Sequence, residues 1–425
     1  MTIYAKAPFK HVTEFNNSTI AELFATPEFA AAVNAIAGGG GLEGTNYLYV
    51  AADGTPVENA TALRAAYTTA QGMSPSATNR ITIIAGPGYY DLESTAFQLN
   101  TSYIDLVSLD GNRSVINAST DVVSGIFSVT ANNVYVHGIN GAGLNNCPFN
   151  IAGNLPNTII KNCKGGPTSF GYQVTPVSST FIDCEAGIQS FGGNSTSVVS
   201  GIFTNCTAGN ESFGTTNGAT ASGTFRNCVA GTNSFGRTAS GTFIDCTAGA
   251  YSFGTNPSFG SGSASGTFTR CTAGSYSFGY GITTTSGTFT DCVAGEDSFG
   301  FSSSVTGIFR RCRGGNQNFA AYSTLSSGTF IDCQGNTSSF AVSNDTTGAY
   351  YGCIGGGASF GAGGGFNGRA QYCVGGSTSF GGNGGAGLRG VLYWCRLTSG
   401  TFVTVSGSGK TRYCVDGNDA QNNQA

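Results

Sequence analysis

SGTFRNCVAGTNSFG occupies residues 222–236, and the phrase returns as SGTFIDCTAGAYSFG at 240–254, SGTFTRCTAGSYSFG at 265–279 and SGTFTDCVAGEDSFG at 286–300. The cysteines mark its spread: Cys147, Cys163, Cys184, Cys206, Cys228, Cys246, Cys271, Cys292, Cys312, Cys333, Cys353, Cys373, Cys395 and Cys414, mostly 20 to 22 residues apart. Seven residues after each cysteine from Cys163 to Cys395 stands a phenylalanine: Phe170, Phe191, Phe213, Phe235, Phe253, Phe278, Phe299, Phe319, Phe340, Phe360, Phe380 and Phe402. Three residues before most cysteines stands another ring, from Phe181 through Phe203, Phe225, Phe243, Phe268, Phe289, Phe309 and Phe330 to Tyr350. Two offsets kept over so many units define one coil, repeated.

Glycine penalises a helix by about 1 kcal/mol per residue against alanine, and these coils are rich in it. Segments such as GTFID and GIFTN, β-branched and aromatic between glycines, read instead as short strands and corners. The expected fold is all-β: a three-sided parallel solenoid whose coils stack at the strand spacing of about 4.8 Å. The Cys and both Phe columns then become interior ladders. Glycine three residues after the cysteine, as at Gly187, Gly231 and Gly274, is expected to turn a left-handed corner. The structural ladder is assigned to Cys184, Cys206, Cys228, Cys246, Cys271 and Cys292, with Phe191, Phe213, Phe235, Phe253, Phe278 and Phe299.

Of the 425 residues, 67 are glycine, 9% are charged and 12% are aromatic, with a net charge of −4. Disordered chains are charged and poor in rings, so the composition argues for a folded chain. It carries no basic footprint for nucleic acid. No CxxC occurs and the histidines are only His11 and His137, so no zinc site is expected. In-register cysteines would hold parallel Cβ atoms about 4.8 Å apart, against the roughly 3.8 Å a disulfide prefers. Free thiols acting as small apolar fillers are the expected state. His137 is expected to be a strand residue with a satisfied ring.

Upstream of the repeat lies NYLYVAADGTPVENATALRAAYTTAQGMSPSATNRITIIAGPGYYDL, residues 46–92. Within it NATALRAAYTTAQ places Leu63, Ala66 and Tyr67 on one helical face, with Asn59 or Thr61 as the expected N-cap. This segment resembles the start of a pectin-lyase-like right-handed parallel β-helix, in which a first strand precedes an amphipathic capping helix. The resemblance spans roughly 46–415 and implies coils at 46–145, before the ladder repeats of 146–415. Residues 1–45 differ: STIAELF and TPEFAAAVNAIA read as two short helices, and GGGG at 38–41 as a joint. That layout is similar to phage tailspikes and fibres, in which an N-terminal piece attaches to other virion proteins. Residues 416–425 read as a mobile polar tail. The start, MTIYAKAPFKHV, lacks the basic stretch and apolar run of a signal peptide, and no segment reads as a membrane span. Synthesis in a host cytoplasm and a place on a virion are the corresponding expectations.

The family resembled includes polysaccharide lyases and hydrolases, so a pair of outward acids would be the sign of catalysis. The residue before each cysteine runs Asn162, Asp183, Asn205, Asn227, Asp245, Arg270, Asp291, Arg311, Asp332. Asp291 and Asp332 would stand two coils apart, but Arg311 between them makes a charge ladder the better reading, because a carboxylate beside arginine is a poor general acid. No catalytic, metal-binding or cofactor residue is assigned. Further along, the same column turns aromatic: Tyr372, Trp394 and Tyr413, flanked by Tyr351 and Tyr393. These five are the candidate binding residues, for a host glycan or receptor, or for a sister subunit in a homotrimer. The expected function is structural and adhesive. A polysaccharide-degrading tailspike is the alternative, and an adhesin or ice-binding solenoid a further one.

Overall fold

A computed structural model describes residues 46–417 apart from 109–113, 120–125, 142–148, 172–175, 194–195, 256–261, 282–283, 323–325, 341–346, 362–364, 381–387 and 401–408, together with the strand at 421–424. The attachment segment proposed at 1–45, with Cys147 and Phe402, lies outside the described residues.

The chain is a parallel β-solenoid. Its entry comprises β1 (Asn46–Val50), α1 (Pro56–Gly72), β2 (Ile81–Ala85), β3 (Gly88–Asp91), β4 (Phe97–Leu99) and β5 (Ile104–Ser108). Helix α1 starts earlier than its apolar periodicity implies. Thr55 is the N-cap and forms a capping box with Glu58, and Pro56 supplies the first turn. Asn59, an expected cap, lies inside the helix and donates to the carbonyls of Gly54 and Tyr89. Leu63 and Tyr67 are buried, and Tyr67 meets Phe97 edge-on at 5.6 Å. The helix thereby joins the core at the first coils.

One face of the solenoid is a continuous run of in-register parallel strands. It passes from β1 to β2 and β5, and later through Thr180–Ile182, Ile202–Thr204 and Thr224–Arg226. A second face carries two-residue strands such as Thr220–Ala221 and Thr238–Ala239. The third side is slighter than three full strands require. In the repeats from Glu185 to Ile354 it is held by single parallel bridges at the residue after each cysteine, for example Thr207 to Val229. At the end, Gln421–Gln424 pairs antiparallel with Lys410–Val415, so part of the stretch read as a mobile tail is a strand.

Inside, rings stack at the strand repeat. From Phe191 to Phe380 successive centroids lie 4.6–5.0 Å apart with planes within 5°. From Phe181 to Tyr350 they lie 4.7–5.1 Å apart. The two columns meet edge to face, as at Phe225 and Phe235, 5.5 Å and 89°. Each ring thus has stacked and T-shaped neighbours, the two arrangements that ring quadrupoles favour.

The described cysteines are buried free thiols. They point their Sγ donors at nearby carbonyls: Cys228 Sγ lies 3.4 Å from the Arg226 oxygen and 3.5 Å from that of Phe203 one coil earlier. A further interior ladder went unread in the sequence. Ser190, Ser212, Ser234, Ser252 and Ser277, each preceding a core phenylalanine, are fully buried. Each hydroxyl accepts the backbone N–H of its counterpart one coil earlier, as Ser234 does from Ser212 at 3.2 Å, and donates within its own coil, here to Thr232. A Ser before nearly every Phe of the column, with Asn318 before Phe319, was the available signal.

The glycines after the cysteines do not turn left-handed corners. Gly187, Gly231 and Gly274 are absent from the positive-φ positions. They are needed for close approach: a Cβ on Gly274 would come within 2.7 Å of the Ala250 nitrogen one coil below. The left-handed positions lie elsewhere, among them every described core Phe of the Phe170–Phe380 column, φ 51–60, and the glycine that follows many of them, such as Gly192 and Gly254. A side chain there costs about 1–2 kcal/mol, which the packed rings must offset.

Candidate functional site

The outward column before the cysteines is where the side-chain chemistry gathers. Every described member from Asn162 to Tyr413 has φ between 48° and 61°. This explains why Asn and Asp dominate its first half, since their short polar side chains tolerate left-handed backbone. Successive members sit one coil apart and reach for each other. Asn205 donates to Asp183 at 2.8 Å and Asn227 donates to Asn205 at 3.1 Å. Arg270 grips Asp245 with two bonds of 2.6 and 2.7 Å, and Arg311 grips Asp291 with bonds of 2.7 and 2.9 Å. In both pairs the arginine holds the carboxyl below its ordinary range. Asp291 is therefore an ion-pair residue, unsuited to protonating a leaving group.

Asp332 continues the column but receives no arginine from the next coil, where Gly352 stands. Its Oδ1 leans into the place that a Cβ on Gly352 would fill. Above Gly352 the column becomes aromatic. Tyr372, Trp394 and Tyr413 are 57%, 47% and 59% exposed, and they stack with centroids 5.3 and 5.1 Å apart, planes within 13°. Tyr351 and Tyr393, one residue earlier in their coils, are half-buried. Arg369 lies over the Tyr393 ring at 5.6 Å. The structure therefore brings Tyr372, Trp394, Tyr413 and Tyr393 together, and leaves Tyr351 beside Gly352.

This geometry changes what the column can contact. The rings stack along the solenoid, so both faces of Trp394 are occupied by its neighbours. Outward it presents ring edges, whereas stacking on a sugar needs a ring face. The Tyr372 face directed toward Gly352 has no side chain of that residue to cover it.

A second aromatic group was not anticipated. Tyr251 and Tyr276, each five residues after its cysteine, stack at 4.8 Å. Tyr280 meets both edge-on and Phe301 face-on at 5.4 Å, and Phe301 touches Tyr322. Asp297 follows Tyr276 in the same column, half-buried, and burial with neighbouring Glu296 raises its carboxyl above the ordinary range. The shared spacing of Tyr251 and Tyr276 was the legible signal. A shallow open groove lined by Asn316, Gln334, Asn336 and Ile354 lies in the following coils.

His137 is a strand residue as expected, buried and stacked on Tyr135 at 6.0 Å. Its ring is satisfied only in part, bonded to the Ser108 backbone while Nδ1 has no partner among the described residues. Burial lowers its pKa. Among the described residues no three His, Cys, Asp or Glu side chains are grouped to hold a metal ion. No helix among them is long and apolar enough to cross a membrane.

No protein-family model matches the chain, and no curated protein matches it in sequence. Two solved structures are similar. The ORF18 protein of Geobacillus virus E2 is 10% identical, with a TM-score of 0.26, over 95% of this chain and 65% of that protein, so the chain spans about two thirds of its length. The A-module of the Azotobacter vinelandii mannuronan C-5 epimerase AlgE4 is 9% identical, with a TM-score of 0.24, over 84% of this chain and 90% of that module.

Proposed function

We propose that the chain is a structural and adhesive β-solenoid of a virion: a fibre, spike or decoration protein whose C-terminal coils contact a host surface or a sister subunit. The observation that carries this reading is the distribution of exposed chemistry. Along the repeats the column before the cysteines satisfies itself through amide and Arg–Asp ladders, whereas three large rings stand exposed together at Tyr372, Trp394 and Tyr413. Exposed aromatics of this kind are recognition chemistry. The head-and-joint composition of residues 1–45 supports attachment at the opposite end of the sequence. Gold-labelled antibody against the chain, imaged on phage particles from its source, tests the reading. Label on the particle is expected. Particles that bind no label while carrying every other virion protein would overturn it.

A polysaccharide-degrading activity is the second reading, and Asp297 is the observation that favours it. A carboxyl raised by burial beside Tyr276 has the property a general acid needs. Release of reducing ends from surface polysaccharides, lost in Asp297→Asn, would support it. No release by the unaltered protein would remove it.

A further inference from the structure

We propose that Asp332, Gly352 and Tyr372 form a binding notch for a guanidinium group, supplied by an arginine of a partner protein. The column itself provides the template. At Asp245 and Asp291 the next coil delivers an arginine that grips the carboxylate through two hydrogen bonds. At Asp332 the next coil delivers Gly352, so this carboxylate receives no guanidinium from the coil that follows it. Among the described residues it makes no close ion pair; Arg311, one coil earlier, feels its charge but spends both its hydrogen bonds on Asp291. Its Oδ1 occupies the space over Gly352 that a side chain would take. One coil further stands Tyr372, 57% exposed, its other face occupied by Trp394.

A guanidinium entering over Gly352 would therefore meet a carboxylate on one side and a ring face on the other. Both contacts occur within this chain: Arg–Asp in the same column, and Arg369 over the Tyr393 ring at 5.6 Å. Planar guanidinium suits both partners at once, since it forks onto a carboxylate and stacks on aromatic faces. A neutral sugar ring would use the Tyr372 face but would not need the charge of Asp332. The notch thus names a partner chemistry that does not depend on whether the protein belongs to a virion.

The single tryptophan makes the test direct, because Trp394 stacks on Tyr372 and its emission reports on that ring. The full chain is titrated with N-acetyl-arginine-amide, and in parallel with the neutral isostere N-acetyl-citrulline-amide. A saturable change with the arginine compound alone is expected. Asp332→Asn should weaken it about fivefold or more. Gly352→Arg should abolish it by filling the notch from within. That substitution suits the backbone, since Arg270 and Arg311 hold φ of 52° and 51° at the same position of their coils. Asp332→Asn, an exposed and nearly isosteric change, keeps the test decisive if Gly352→Arg folds poorly. No saturable response, an equal response to citrulline, or a response unchanged by Asp332→Asn overturns the proposal.

Discussion

Asn318 occupies space that Gly314 leaves open. A Cβ on Gly314 would come within 2.5 Å of the Asn318 Cγ, and in this coil asparagine takes over the serine-ladder role, its Oδ1 accepting the Ser298 N–H at 2.9 Å. The preceding coils pair serine with alanine instead, as Ser277 with Ala273, whereas the following ones keep glycine with serine, as Gly335 with Ser339. The two positions should therefore be coupled. Ser277→Asn alone is expected to destabilise by about 1–3 kcal/mol through overpacking. Adding Ala273→Gly should recover most of that loss. Chemical denaturation of both single variants and the double measures the coupling, and additive effects would show that Gly314 does not make room for Asn318.

Removing one ring from the core should open the solenoid locally. Phe235 stacks on Phe213 and Phe253 at 5.0 and 4.6 Å and meets Phe225 and Phe243 edge-on. Phe235→Ala is expected to cost about 3–5 kcal/mol. Because each coil touches only its neighbours, faster amide exchange should be confined to the coils around Phe235. A uniform rise along the chain would contradict that.

Six thiols in the first half of the ladder predict alkaline sensitivity. Burial pushes the Cys163 thiol up to about 12 from its ordinary 9.0, and burial also raises Cys206 and Cys292. Cys228, Cys246 and Cys271 are raised first by the hydrogen bond with the thiol one coil earlier and then by burial. The folded state thus holds these protons more tightly than the unfolded chain. The stability this contributes is fully present below about pH 9 and is lost as pH rises toward the folded values. Melting temperature should be level from about pH 6 to 8 and fall steeply above about pH 9. At neutral pH a small alkylating reagent should label at most two of the fourteen cysteines until the protein is denatured. Rapid native labelling of most sites, or disulfides found by mass, would refute the ladder.

Gly274 separates close approach from left-handed backbone. Since a Cβ there would press on Ala250 at 2.7 and 2.9 Å, Gly274→Ala should destabilise by about 1–3 kcal/mol. Gly274→Asn should be no better tolerated. At a left-handed corner asparagine would be the milder replacement, so that ranking in thermal melts distinguishes the two causes.

Replacing Tyr372, Trp394 and Tyr413 together with serine should leave the core intact. The stacked pairs are exposed, and about 0.5–1.5 kcal/mol per pair is the expected loss. Binding to host envelopes or self-association, followed by sedimentation, should weaken instead. A collapse of the melting temperature with both properties unchanged would show that the column serves only the fold.

Much of this architecture is legible without coordinates because it is periodic. Repetition at about twenty residues forces like residues into columns, so the Cys and Phe offsets announce a parallel stack, and variability before each cysteine marks the outer side. The same reading puts Asp245 beside Arg270 and Tyr372 beside Trp394, since in a stack a column is also a list of neighbours. What periodicity does not carry is backbone conformation within one coil. The glycines after the cysteines look like corners, and only the packing shows that they are places where two coils nearly touch. The left-handed turns fall on Asp, Arg and Phe, where strain is tolerated because stacked rings and ladder bonds hold the chain. Direction within a column is likewise tertiary. The sequence alone determined that Tyr372, Trp394 and Tyr413 share a line; the three-dimensional structure decided that their faces meet along it, leaving Tyr372 facing the gap at Gly352.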